Sequence, residues 1–151
     1  MSSKKELFEG SRSKSSYPSF TSVTLRFGDT DRMGHINNAV YSTLFEAGRF
    51  SFFEQGFECA YATERTFTLA KVLINFLIEM YFPGTVEVGS KILAVGSSSV
   101  TLGQAVFKEE ECCAVSESVL VLIDMKNRRS TKMTADILQI VDTLRLDGSR
   151  L

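Results

Sequence analysis

The 151-residue chain predicts an α+β fold, an antiparallel β-sheet wrapped around one long central α-helix. Three observations carry this. One early stretch alternates with period two, a single following stretch repeats with helical period, and the rest reads as strands in succession with no second long helix between them. Strands joined without crossover helices pair antiparallel.

The elements follow in order. "MSSKKELFEGSRSKSSYPSF", residues 1–20, is rich in Ser and Lys and has no apolar run of the secretory or membrane-spanning kind, so a flexible tail is expected. "SVTLRF", 22–27, sets Val23, Leu25 and Phe27 against Ser22, Thr24 and Arg26, the pattern of a half-buried strand that Gly28 ends. From 38 to 55, Tyr41, Phe45, Gly48 and Phe52 recur at spacings of four, three and four, with Val40, Leu44 and Ala47 widening the stripe. Asn37 or Asn38 is suited to the N-cap, and Gly56 to the left-handed position past the C-terminus. Only Ser42, Glu46 and Arg49 interrupt the apolar surface, so this helix is expected to be covered on most sides.

Strands are expected over 65–81, 85–96, 99–109 and 113–125, with turns at Pro83-Gly84, at "GSS" 96–98 and at "KEEE" 108–111. Thr134 caps a short helix carrying Ile137, Leu138, Val141 and Leu144. Residues 21–145 are then one domain, with 146–151 a C-terminal tail.

Composition narrows the function. A hydrophobic content of 44% suffices for one core. Lys+Arg 17 against Asp+Glu 18 gives no global field toward nucleic acid or an anionic membrane, so neither is expected as a partner. Cys59, Cys112 and Cys113 are odd in number and lack C-x-x-C spacing, and the one histidine cannot complete a Cys/His zinc site. The expectation is a reducing, cytoplasmic setting and no metal.

The polar chemistry gathers in "GDTDRMGHINNAVY", 28–41, where two aspartates, the chain's one histidine and two asparagines lie between the strand and the helix. A carboxylate in a loop that leads to a helix N-terminus combines a base or nucleophile with unpaired N–H groups and partial positive charge. Thioester hydrolysis needs that combination: a group acting at the carbonyl carbon and a donor for the oxygen that becomes negative. Asp31 suits the first role, and the amides near Asn38 the second. Asp29 is read as structural, in an Asx turn. Gly34, His35, Asn37 and Tyr41 are read as loop-orienting or substrate-lining.

"RFGDTDRMGHINNAVYSTLFEAGR" resembles the opening motif of the hotdog-fold acyl-CoA thioesterases, the group typified by 4-hydroxybenzoyl-CoA thioesterase of the Pseudomonas type. The resemblance extends from 21 to about 145, with weaker landmarks in "YFPGTVEVGSKI" and "VLVLIDMKNRRSTKM". It implies a hotdog fold and hydrolysis of an acyl-CoA to free acid and CoA. CoA is then part of the substrate, and no cofactor is implied. The aspartate that acts on the thioester matches Asp31, and the backbone N–H that polarises its carbonyl matches Asn38. Whether Asp31 activates water or attacks to form an anhydride stays open. The resemblance also implies active sites between subunits.

Glu46 competes with Asp31, because a carboxylate on an apolar helix is a candidate for a perturbed pKa and another hotdog branch resembles this design in using a helical glutamate. The structural alternative is an i,i+3 ion pair with Arg49, and it is preferred. A Cys59–His35 nucleophile pair is weakly supported, and Cys112 and Cys113 are expected on opposite faces of a strand. Phe45, Phe52, Leu73 and Phe76 are expected in the pocket floor. Arg128, Arg129 and Lys132 form a basic loop that suits the phosphates of CoA, or simply a solvated hairpin tip. A sheet around one helix leaves edges open, so at least a homodimer is expected, with a tetramer of two dimers compatible. The competing classes are a hotdog module that binds an acyl-CoA or lipid thioester without cleaving it, and a hydratase on the same fold.

Overall fold

The computed structural model describes residues 11–149, with side chains through 145. Five strands, β1 (Ser19–Thr24), β2 (Arg65–Phe76), β3 (Thr85–Val95), β4 (Ser99–Lys108) and β5 (Glu111–Asp124), form one antiparallel sheet in the order β1-β3-β4-β5-β2. Three α-helices accompany it among the described residues: α1 (Asn38–Phe52), α2 (Glu54–Tyr61) and α3 (Ala135–Ser149). Even-numbered residues of β4 from Val100 to Val106 and of β5 from Ala114 to Leu122 face the helices, as the two-residue side-chain period requires, and the register shift at Val106/Phe107 breaks the rule at the start of β5. Under α1 they meet Tyr41, Leu44 and Phe45. Under α2 and α3, Val100, Leu102, Leu120 and Leu122 meet Phe53, Ile137 and Val141.

Helix α1 presses hard on the sheet at Gly48. A Cβ there would stand 2.5 Å from Val88 Cγ1 and 2.9 Å from Gln104 Nε2. That glutamine belongs to a buried polar row across three strands, Ser90, Gln104 and Ser116. Its Nε2 donates to Phe45 O at 3.1 Å and to Ser90 Oγ at 2.9 Å, tying helix to sheet.

Several expectations need correction. The first strand begins at Ser19, three residues early, and ends at Thr24. Leu25 is buried as expected, but Phe27 is 77% exposed, because the chain enters a 3-10 turn, Phe27–Asp29. Asp29 causes the turn: it accepts the Arg26 N–H at 2.8 Å and the Arg26 guanidinium at 2.8 and 3.2 Å. Of the expected tail, residues 11–20 are described, and there Tyr17 is only 2% exposed. It packs edge-on against Phe20 and Phe107 on the outer face of the sheet. Residues 1–10 and 150–151 lie outside the described residues.

The helix expected over 38–55 is two helices, broken at Phe53 (φ −109°, ψ 21°), whose ring is fully buried. Gly56 is therefore inside α2 rather than past a C-terminus, and it sits directly against the Phe53 ring. Strand β2 ends at Phe76 instead of 81, because the Leu77 and Ile78 N–H groups both turn to Cys113 O. Met80 then plugs the core at 1% exposure. The final helix is longer than expected, its backbone running into the stretch read as a C-terminal tail. Cys113 lies in the core beneath α1 and Cys112 on the outer face beside Tyr17 and Phe107, on opposite faces as expected.

Candidate active site

The loop between β1 and α1 is a closed knot of short hydrogen bonds. The Asp31 N–H donates to His35 O at 2.9 Å, and the Gly34 N–H returns to Asp31 O at 3.0 Å. Gly34 makes this tight reversal at φ +89°, a conformation that side chains with a Cβ rarely adopt. The ends are anchored elsewhere, Asn37 N–H to Asp29 O at 2.9 Å and Ile36 N–H to Met80 O at 2.8 Å. Asp29 itself is held below the usual carboxylate range, first by the Arg26 side chain and then by the Arg26 backbone N–H, against its own burial. It is a structural residue.

Asp31 Oδ1 accepts the Met33 N–H at 2.8 Å, while Oδ2 stands 3.4 Å from His35 Nδ1. His35 Nδ1 is also 3.2 Å from Ile36 O, and His35 Nε2 faces Glu79 Oε1 at 4.0 Å. One carboxylate oxygen is thus engaged by the backbone, and the other is turned to the imidazole.

At the helix start, Asn37 caps as expected: its Oδ1 accepts the Ala39 N–H at 3.0 Å and its C=O the Val40 N–H at 2.9 Å. The Asn38 N–H, one residue earlier, finds no such acceptor among the described residues and is a free donor at the positive end of the helix. Next to it lies a cavity of about 140 Å³ lined by His35, Asn38, Tyr41, Phe76 and Glu79 among others. Tyr41 is 2% exposed and stacks edge-on with Phe76 at 5.1 Å. Burial, aided by the nearby Cys113 and opposed by the Met80 backbone, pushes its phenol up to about 12, so it stays a neutral donor. Asp31 is not among the residues lining this cavity and reaches it through His35.

The remaining candidates are dispersed. Glu46 is exposed two turns along α1 from Asn38, and the expected ion pair with Arg49 is not made: Arg49 turns inward, 5% exposed, with its Nη1 buried and unpartnered among the described residues. Of the four expected floor residues only Phe76 lines the cavity; Phe45 and Phe52 are core, and Leu73 is 43% exposed on β2. Cys59 packs among Phe53, Phe67 and the α3 side chains, at the far end of α1 from His35. Arg128, Arg129 and Lys132 lie in the loop after β5, all three exposed, beside the Arg65 end of β2. At about 3.3 Å per residue, that end is about 36 Å from Phe76.

Glu79 was missed by sequence reasoning. It is the lone charge in the apolar run 72–82, and that was the available signal. Tyr81 Oη donates to it at 2.8 Å. Among the described residues, no three His, Cys, Asp or Glu side chains are grouped to hold a metal ion, and no helix is long and apolar enough to cross a membrane.

A single antiparallel sheet folded over a long helix, with a polar loop at that helix's N-terminus, defines a hotdog-fold protein. The chain belongs to the Thioesterase-like superfamily, whose model matches residues 25–141. It is 28% identical over 124 residues to the YsmA protein of Bacillus subtilis (strain 168), covering 80% of this chain and 83% of YsmA. The PA5185 protein from Pseudomonas aeruginosa strain PAO1 shares the fold at TM-score 0.80, with 22% identity over 89% of this chain and 96% of that one. A thioesterase from Thermus thermophilus, crystallised with coenzyme A and Zn, is similar at TM-score 0.74 and 26% identity, covering 86% of this chain and 96% of that one.

Proposed function

We propose that this protein is an acyl-CoA thioesterase of the 4-hydroxybenzoyl-CoA thioesterase type, with Asp31 as general base or nucleophile and the Asn38 N–H polarising the thioester carbonyl. The observation that carries the reading is the free Asn38 N–H at the mouth of a cavity with the Asp31–His35 pair behind it. Water, or Asp31 itself, adds to the carbonyl carbon. The oxygen becomes negative at the Asn38 N–H and the C–S bond breaks: on the water route the proton that Asp31 takes from water passes to the CoA sulfur, and on the Asp31 route CoA leaves as the thiolate and water then hydrolyses the mixed anhydride, restoring Asp31 and supplying the proton that CoA takes up. A positioned N–H at a helix start serves well because it does not reorganise as charge develops. The Thermus thermophilus relative with bound coenzyme A supports CoA as part of the substrate.

The protein acts as a homodimer in this reading. β2 is a sheet edge without a partner on its outer side among the described residues, and along it Leu69, Val72, Leu73 and Phe76 are 41–49% exposed. A long apolar edge of this kind calls for a second strand. Antiparallel pairing of two β2 edges brings each chain's Arg65 end beside the other's Phe76 end. Arg128, Arg129 and Lys132 then serve the CoA phosphates of the partner's site, having no route to their own. The three free cysteines fit a reducing, cytoplasmic setting.

One observation favours a second reading, a module that binds acyl-CoA without cleaving it: Asp31 stands outside the cavity lining. The test is incubation of the protein with short-chain, long-chain and aromatic acyl-CoAs in the presence of a thiol reagent. Catalytic release of CoA from at least one is expected; saturable binding with no release from any would give the site to the binding module.

A further inference from the structure

Arg49 stands where a guanidinium is costly. It lies on the inner side of α1, 5% exposed, and its Nη1 has no hydrogen-bond partner among the described residues. It shares its groove with Phe67, Leu69 and Leu120, and its own burial holds the guanidinium below its ordinary value even though the charge of Glu46 acts the other way. A buried charge is normally paired, and this one is not. One turn earlier, Glu46 is exposed and equally without an ion-pair partner among the described residues.

Both side chains line the same groove, in two adjoining parts of about 220 and 140 Å³, between α1 and the middle of β2. The β2 side of the groove is apolar and half open, Leu69 at 43% and Val72 at 41% exposure. The groove therefore offers a buried cation, an outward carboxylate one turn away and an uncovered apolar wall. An anionic small molecule fits poorly, since Glu46 would repel it from the groove that Arg49 would draw it into. A second copy of the chain fits well. A two-fold axis makes residue i meet j while j meets i, so opposite charges one turn apart on one helix face are complementary to themselves.

We infer that the groove between α1 and β2 is closed by the α1 helix of a second copy, with Arg49 of each chain paired to the partner copy's Glu46. The inference rests on the edge pairing proposed above, whose axis passes beside the middle of β2, where this groove lies. It goes further in naming the pair of charges that fixes the register and makes a lone chain incomplete.

The test uses Glu46→Lys, Arg49→Glu and their equimolar mixture, with association measured by sedimentation and folding by thermal melting. Each single variant places two like charges across both contacts of its homodimer. Self-association should weaken by at least about tenfold, the scale of disrupting a desolvated interfacial charge pair. In the mixed dimer one contact is the native pair of Arg49 with Glu46, and the other joins the introduced lysine of one chain to the introduced glutamate of its partner. Opposite charges then face each other at both contacts, so mixing should restore association. Wild-type dimerisation in both single variants overturns the inference and leaves the edge pairing standing. Failure of the mixture to restore it, while the double variant Glu46→Lys/Arg49→Glu dimerises, assigns the pair to one chain and also overturns it. A monomeric wild type overturns the edge pairing itself, and this inference with it. Glu46 is exposed, so Glu46→Lys should fold even if Arg49→Glu does not, and its dimerisation at wild-type strength is sufficient refutation.

Discussion

Gly48→Ala isolates the contact between helix and sheet that holds α1 in place. Two effects oppose each other. Alanine is the better helix former by about 1 kcal/mol, so helix propensity alone predicts a more stable protein. Against that, the added methyl would stand 2.5 Å from Val88 Cγ1 and 3.1 Å from Val88 Cβ. Ordinary carbon contacts are about 3.5–4.0 Å, so the overlap is about 1 Å. Val88 is 0% exposed and β-branched, so it has little freedom to rotate away. Gln104 Nε2, at 2.9 Å from the new methyl, is held by Phe45 O and Ser90 Oγ. Overpacking of this kind costs about 1–3 kcal/mol, and loss of the buried glutamine bonds about 1 kcal/mol more. The net is a loss of about 2 kcal/mol, or roughly 4–8 °C in Tm for a domain of this size. Calorimetry of Gly48→Ala beside the exposed control Ser51→Ala in the same helix measures it. A Gly48→Ala protein as stable as wild type, or more so, would refute the close approach and give the site to helix propensity.

Three further outcomes follow from the same structure. Asp29→Asn should destabilise the fold at neutral pH by about 1–3 kcal/mol, the scale of charge-assisted hydrogen bonds. Because the folded pKa of Asp29 is depressed, its contribution is full above the ordinary carboxylate range and is lost as pH falls through the folded value, so the gap between variant and wild-type melting curves should close in acid. Val72→Lys places a charge on the open β2 edge, and light scattering should find a monomer of 16.8 kDa instead of a dimer. Cys112, pushed up to about 11 by burial and by the adjacent Cys113, should alkylate slowly at pH 8 until the chain is unfolded, as read by mass spectrometry of its peptide.

What was legible in the sequence was local. The strands expected over 85–96 and 99–109 with their turns, the stripe through Tyr41, Phe45 and Gly48, and the Asn37 cap each depend on neighbours a few positions away, and the structure places them as expected. What depended on distant chain was not legible. Phe27 continues the strand's alternation, yet Asp29 bends it out into solvent. The polar face of α1 predicted an ion pair of Glu46 with Arg49, but Arg49 is drawn inward beneath the helix by space that β2 and β5 create. Glu79 joins the candidate site only because the strand stops at Phe76 and Met80 is carried back to Ile36. The turn from Asp31 to His35 was readable as a unit, since its bonds, Asp31 with His35, Gly34 and Met33, close within itself.

Steady-state hydrolysis by Asp31→Asn tests the central claim most directly. The substitution keeps the side chain's shape and an oxygen able to accept the Met33 N–H, so the loop should persist and melting should change little. It removes the charge that a base or nucleophile requires. On whichever acyl-CoA the wild type cleaves fastest, kcat should fall by roughly a hundredfold or more, the scale of losing a positioned base, while binding of the acyl-CoA changes far less. Glu46→Gln, assayed in parallel, should lose much less turnover. A folded Asp31→Asn protein with near-normal kcat would contradict the assignment, and a Glu46→Gln protein that has lost turnover would move the chemistry onto the helix.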